Sequence, residues 1–80
     1  MKIVHIKWVD SYTQAGWVNE SQLDKTPLIC ETVGFLVGEN KHSLKVALNH
    51  TCNDNYKPYG EVINIPKVSI KSKRILRNKR

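Results

Sequence analysis

Residues 61–76, EVINIPKVSIKSKRIL, decide the fold class because they contain two short β-type segments separated by a proline. Pro66 has no backbone N–H to donate to a sheet ladder, so it belongs between strands. We therefore predict a strand over residues 61–65, a turn or single 3₁₀ turn over 66–68, and a last strand over 69–76. This arrangement favours small barrels of the Sm-like or Src-homology-3-like (SH3-like) type.

Two other segments alternate between apolar and polar side chains, which is the pattern of a strand with one buried face. They are residues 3–9 and residues 43–49. The side chains that we expect to face the interior are Val4, Ile6, Trp8, Leu44, Val46 and Leu48.

The segment between these strands contains one more strand and the only helical candidate. Residues 28–38, LICETVGFLVG, are rich in β-forming residues, and Gly34 is expected to mark a bend or a bulge. Residues 17–25 are the helical candidate, with Asn19 as N-cap and Gln22 three residues later.

Five short strands with one helical turn after the first predict an all-β fold, a small and strongly bent five-stranded barrel. An oligonucleotide-binding barrel is the alternative to the Sm-like or SH3-like type. We expect one domain over residues 1–76 and a basic, flexible tip over residues 77–80. A chain of 80 residues buries only about 60% of its unfolded surface, so a homo-oligomer is expected to help stability.

The formal net charge of +6 is distributed unevenly along the chain. Residues 1–61 contain six Lys or Arg and seven Asp or Glu, whereas residues 62–80 contain seven Lys or Arg and no acid. A concentrated cationic segment points to an anionic partner. The N-terminus has no signal-peptide h-region and no apolar run is long enough to span a membrane, so a cytoplasmic protein with no membrane partner is expected. Cys30 and Cys52 are then expected to be free thiols.

No complete catalytic or metal-binding motif is present. There is no nucleophile elbow, no phosphate loop and no paired Cys-x₂-Cys or His-x₃-His, although His50 and Cys52 are two residues apart. We therefore predict a protein that is not an enzyme and has no cofactor, no catalytic residues and no metal site.

The basic last strand and a tyrosine-containing loop are the candidate ligand-binding elements. Strict alternation on the last strand puts Lys71, Lys73 and Arg77 in a row along one edge, at about 7 Å spacing. This spacing is close to the repeat of phosphates in a single nucleic-acid strand. The loop segment YKPY, residues 56–59, holds a cation between two rings. The candidate ligand-binding residues are Lys67, Lys71, Lys73, Arg74, Arg77, Tyr56 and Tyr59.

Both elements also have an interpretation without a ligand. Lysines on an edge strand prevent sheets from aggregating, and loop tyrosines can pack down to close a barrel. Trp17 follows Gly16 near a loop, and we expect it to pack on the core or to cover one end of the barrel.

Several short motifs of this chain resemble small uncharacterised proteins encoded by bacteriophages and prophages. They are Trp8-x-Asp10, Gly16-Trp17, TVGFLV over 32–37, Tyr59-Gly60 and Ile65-Pro66. The resemblance implies a small, non-enzymatic accessory protein that acts in the host bacterial cytoplasm by stoichiometric binding. The expected ligand is anionic, either nucleic acid or a nucleotide. The alternative is an inhibitor that binds a host protein, such as a defence enzyme. The basic tail is not part of the shared pattern.

Overall fold

The computed structural model describes residues 1–53 and 56–78, and in these ranges the chain forms one antiparallel five-stranded sheet. The strands are β1 Lys2–Asp10, β2 Leu28–Glu39, β3 Ser43–His50, β4 Tyr59–Pro66 and β5 Ile70–Asn78. Their order across the sheet is β4-β3-β2-β1-β5. The predicted all-β class and all five predicted strands are confirmed.

The predicted closure of the sheet into a barrel is not found in the described residues. β4 and β5 are the two edges, and the ladders join neighbours in the order above without pairing these edges. β5 pairs with β1 along its length, from Trp8 opposite Ile70 to Lys2 opposite Asn78, and no described strand pairs with its other edge. The radius of gyration is 16.1 Å, against about 12 Å expected for a compact chain of this size.

The core lies where β1 packs against β3 and β4. Val4, Ile6 and Trp8 are buried as the alternation of β1 predicts, and the other large core side chains are Leu44, Val46 and Ile65. Trp8 satisfies its indole N–H by donating to Thr32 Oγ1 at 3.0 Å.

The prediction that Leu48 faces the interior is wrong, because its side chain is 55% exposed. The ladder between β2 and β3 ends with Phe35 opposite Ala47. Leu48 lies one residue beyond that last pair, so β2 does not continue beside it. The apolar alternation of β3 therefore continues one step beyond the buried core.

Gly34 is the position at which β2 and β3 approach most closely. A Cβ atom built there would lie 2.5 Å from the carbonyl oxygen of Ala47 and 2.8 Å from Cγ1 of Val46. A glycine is therefore needed for close approach. The bulge itself lies further along β2, in the register shift between Leu36 and Gly38.

The predicted helix over residues 17–25 is reduced to one 3₁₀ turn, Glu20–Gln22, in which nothing is buried. Short helices need tertiary packing to persist, and this segment has none. The predicted capping pair is present in part, since Asn19 N–H donates to Gln22 Oε1 at 3.1 Å. Trp17 is 103% exposed, so the expectation that it covers the core is wrong.

The predicted turn between the last two strands is confirmed as a 3₁₀ turn, Lys67–Ser69. Ser69 Oγ donates to the carbonyl of Pro66 at 2.8 Å, and the N–H of Lys67 donates to the carbonyl of His42 at 2.8 Å. β5 includes Arg77 and Asn78, which the sequence placed in the flexible tip, while residues 79–80 lie outside the described residues. Within the described chain, no helix has the length and apolarity to span a membrane.

Candidate nucleic-acid interface

Three aromatic rings lie together where β3 ends and β4 begins. The ring centroids of Phe35 and His50 are 5.8 Å apart, and those of His50 and Tyr59 are 5.6 Å apart, both in tilted arrangements. His50 and Tyr59 are directly paired in the ladder between β3 and β4. We call Phe35, His50 and Tyr59 the aromatic cluster. Centroid distances in this range are typical of interacting aromatic pairs.

A groove of about 350 Å³ lies beside the aromatic cluster. It is lined by Asn49, His50, Thr51, Tyr56, Lys57, Pro58, Tyr59 and Gly60. The loop that forms one wall is closed by a hydrogen bond from Thr51 N–H to the carbonyl of Pro58 at 2.9 Å. Tyr56 is 73% exposed and Tyr59 is 41% exposed, so both rings are accessible from water. The two predicted tyrosines therefore line one groove, with Lys57 between them.

The cations of β5 point to different faces of the sheet. Directly paired residues share a face. Arg74 is opposite His5 and Arg77 is opposite Ile3, on the face of β1 away from the core, whereas Lys73 is opposite the buried Ile6.

The predicted regular row of Lys71, Lys73 and Arg77 is therefore wrong. Two register shifts interrupt the ladder between β1 and β5, one between Ile3 and Val4 and one between Lys7 and Trp8. Each shift adds a residue to β5 and changes which of its side chains share a face. Lys71 falls at one of these shifts, and Arg77 lies beyond the other.

One cross-strand row joins the basic strand to the aromatic cluster. Ile3 is opposite Arg77 on one side and opposite Phe35 on the other. The three side chains therefore occupy the same face of three neighbouring strands. Because adjacent strands are 4.7–4.9 Å apart, the backbones of Arg77 and Phe35 are about 10 Å apart. A cation and the aromatic cluster thus lie within one nucleotide's reach of each other.

The same outer face carries further charged side chains around Arg74. A depression of about 440 Å³ is lined by His5, Lys7, Ser72 and Arg74, together with Lys73, which also lines a pocket with Glu39 and Lys67. Glu31 is opposite Lys7 in the ladder between β1 and β2, and its Oε1 is 3.1 Å from Nε2 of His5. This carboxylate offsets part of the positive charge at the Lys7 end. The Arg74 and Arg77 end has no acid on its paired β1 residues.

Lys67 and Lys73 surround a carboxylate on the other side of β5. Lys67 Nζ is 2.7 Å from Glu39 Oε2. The hydrogen bond and charge of Lys67 lower the pKa of Glu39, and the charges of Lys73 and Lys2 add to this effect. A pocket of about 300 Å³, which we call the lysine pocket, is lined by Glu39, Leu44, Lys67, Ile70 and Lys73. Lys67 is thus engaged with an acid rather than aligned with Arg74 and Arg77.

Phe35 and His50 were not among the residues predicted from sequence. Phe35 looked like one of several apolar residues in β2, and His50 looked like a solvated loop residue. Only the register, which places the end of β3 beside the start of β4, brings these rings to Tyr59. The prediction would have required the pairing of residues 47–50 with residues 59–62, which the alternation of apolar and polar residues does not reveal.

The described residues do not gather a metal-binding set. Among residues 1–53 and 56–78, no three His, Cys, Asp or Glu side chains lie together in a way that could hold a metal ion. Cys30 packs against the core cluster and Cys52 is exposed, both as free thiols. Comparisons with models of protein families, with curated proteins and with solved structures gave no match.

Proposed function

We propose that this protein is a non-enzymatic binder of single-stranded nucleic acid. The observation that carries the proposal is the row of Arg77, Ile3 and Phe35, which joins the aromatic cluster to the outward cations of β5. Proteins that bind single strands combine rings on which bases stack with cations that follow the backbone. Here the two parts meet through the 5.8 Å contact between the rings of His50 and Phe35, which lies at the end of that row.

The expected division of labour follows from the chemistry of each group. Tyr59 and Tyr56 offer exposed ring faces for stacking, which contributes about 1–3 kcal/mol per base in alanine-substitution experiments. Arg74 and Arg77 offer planar donor groups that match phosphate oxygens. Lys57, in the wall of the groove, adds a cation next to the stacked bases. A mononucleotide would use only the groove, so it is expected to bind more weakly than an oligonucleotide.

The groove supports binding rather than turnover. Its described lining, residues 49–51 and 56–60, includes one histidine and one lysine but no carboxylate, and general acid–base catalysis needs a group that is positioned and tuned by a partner. We propose stoichiometric action on this basis, of the kind that the resemblance to small phage proteins implies.

We also propose that the sheet is an open relative of the Sm-like and SH3-like barrels. Two features support this. The chain passes from β4 to β5 through the 3₁₀ turn Lys67–Ser69, and β1 lies between β2 and β5 in the strand order. An experimental structure decides between a closed barrel, in which β4 and β5 pair, and an open sheet, in which they remain apart.

The deciding experiment measures fluorescence anisotropy of a labelled oligothymidylate with the wild type and two charge-matched variants. Arg77→Gln removes a cation from the outer face, and Lys41→Gln removes one from the turn between β2 and β3, outside the groove and the row. Arg77→Gln is expected to weaken binding and to lower the slope of log affinity against log salt by about 0.7, the value for one phosphate contact with a single strand. Lys41→Gln is expected to leave both quantities nearly unchanged.

Tyr59→Ala tests stacking in the same titration. The loss of 1–3 kcal/mol corresponds to a decrease in affinity of about 5- to 150-fold, with the salt slope preserved. Unlabelled mononucleotide, added as competitor, separates an oligonucleotide site from a nucleotide site. Wild-type binding no tighter than micromolar at about 50 mM salt, or equal losses for the two charge variants, contradicts the proposal. Inhibition of a host protein then becomes the better explanation.

A further inference from the structure

The connection between β1 and β2, residues 11–27, is an ordered loop that lies entirely on the surface. We call it the arm. Every one of its residues is exposed. Three hydrogen bonds tie its two sides together: Tyr12 Oη to the carbonyl of Thr26 at 2.6 Å, Gln14 Nε2 to the carbonyl of Gln22 at 2.8 Å, and Asp24 N–H to Gln14 Oε1 at 2.9 Å. The arm is thus held by its own polar contacts and not by packing on the core.

This polar scaffold presents an apolar tip. Trp17 is 103% exposed, and Leu23 and Val18 are 51% and 37% exposed. Tryptophan buries about 150–250 Å² when it packs, and it is the residue type most enriched among the dominant contacts of protein interfaces. A loop that is ordered before binding also loses less entropy when it docks. These properties are those of a docking element whose anchor is Trp17.

The charge of the arm indicates what kind of pocket it fits. Asp10 at its base, Glu20 and Asp24 are acidic, and Lys25 is the one base between residues 10 and 27. A complementary site has an apolar floor for the indole ring and a cationic rim for these carboxylates.

The lysine pocket of this same chain has both features. Leu44 and Ile70 form its apolar part, while Lys67 and Lys73 form its rim, where Glu39 is paired with Lys67 and offsets one of the two positive charges. Lys2 is close enough to lower the pKa of Glu39 together with them. Trp17 of the same copy does not fill the pocket, since it is fully exposed.

We propose that Trp17 of one copy inserts into the lysine pocket of a second copy. The two surfaces of such a contact are different, so the interface is heterologous and joins copies head to tail. Because the lysine pocket includes neither Arg74 nor Arg77, the contact leaves these two cations free. The proposal is therefore independent of nucleic-acid binding, and either can fail alone.

Sedimentation velocity over a range of protein concentrations tests the contact. Wild type is expected to self-associate, and added salt is expected to weaken the association, because charges form the rim. Trp17→Ala is expected to lower the association constant at least about 30-fold, which is the effect of a dominant interface residue. Tyr56→Ala is the control, because it removes another exposed aromatic ring, outside the arm and the pocket.

A mixing experiment identifies the geometry. Lys73→Glu retains the arm but loses a rim charge, and Trp17→Ala retains the pocket but loses the anchor. Each variant alone is expected to be largely monomeric, and the mixture is expected to form dimers and no larger species, because only one productive contact remains. Circular dichroism spectra equal to that of the wild type establish that both variants are folded.

Three results overturn the proposal. They are a wild type that stays monomeric at high micromolar concentration, a Trp17→Ala variant that associates like the wild type, and a mixture that stays monomeric. The first of these would leave the arm available for a different protein.

Discussion

Replacement of Gly34 by alanine is a direct test of the close approach between β2 and β3. The added Cβ atom would lie 2.5 Å from the carbonyl oxygen of Ala47 and 2.8 Å from Cγ1 of Val46. An ordinary contact begins at 3.4 Å, so β3 must move by about 1 Å. The nearer atom belongs to the backbone, and a rotamer change cannot remove the clash.

The expected size of the effect combines two opposing contributions. Overpacking a well-packed core costs about 1–3 kcal/mol. Alanine also restricts the unfolded chain more than glycine does, which returns about 0.4–1 kcal/mol. We therefore expect a net loss of about 1–2 kcal/mol in the free energy of unfolding. For a domain of this size each kcal/mol lowers Tm by about 4–8 °C, so Tm should fall by about 5–15 °C.

Urea unfolding followed by circular dichroism, together with a thermal scan, measures both quantities. Gly60→Ala is the matched control, because a Cβ atom there meets Asn49 Cβ at an ordinary 3.4 Å. It should change stability by less than about 0.5 kcal/mol. If Gly34→Ala is as stable as the wild type, or if both variants lose the same amount, the close approach is not what requires glycine at this position.

Two further predictions concern the core and the arm. Ile65→Ala, at a fully buried position, should cost about 2–5 kcal/mol in urea unfolding, whereas Val68→Ala, at a 97% exposed position, should stay within about 0.5 kcal/mol; similar losses would contradict the assigned core. A hydrogen bond from the backbone N–H of Thr26 lowers the pKa of Asp24. A lowered folded-state pKa means that this stabilisation is present above the ordinary carboxyl pKa and is lost as pH falls through the folded value. The protection factor of the Thr26 amide, which corrects its exchange rate for the intrinsic effect of pH, should therefore fall under acid in the wild type but change little with pH in Asp24→Asn, and parallel profiles would contradict the assignment.

Local patterns were sufficient where a strand has neighbours along its whole length. The alternation of β1 correctly identified Val4 and Ile6 as buried, because β2 and β5 flank it on both sides. The same alternation failed at Leu48, which lies past the last pair of β2 and β3. Nothing in the period-two pattern records where a neighbouring strand ends. Pro66 was a reliable marker, because its missing N–H acts locally.

The candidate interface depends on information that alternation does not contain. The sequence correctly drew attention to Tyr59, but the rings that accompany it come from β2 and β3 through the register. The division of the β5 cations between two faces follows from register shifts. The sequence of β5 contains no residue from which these shifts could be predicted. From its position after Gly16 near a loop, Trp17 was expected to pack on the core or to cover one end of the barrel. Its exposure follows from an arm whose polar side chains bond to one another instead of to the sheet.

The position of β1 in the middle of the sheet has a consequence for how the chain folds. β1 is synthesised first, but one of its two partners, β5, lies roughly 60–75 residues further along the chain. While β5 is still inside the ribosome, one edge of β1 and part of the apolar face around Trp8 have no cover. Pairings between such distant segments form slowly, because a long loop must close before any contact stabilises it. We therefore expect folding to be completed only when β5 emerges and pairs with β1. Until then, the nascent chain stays accessible to proteases and chaperones.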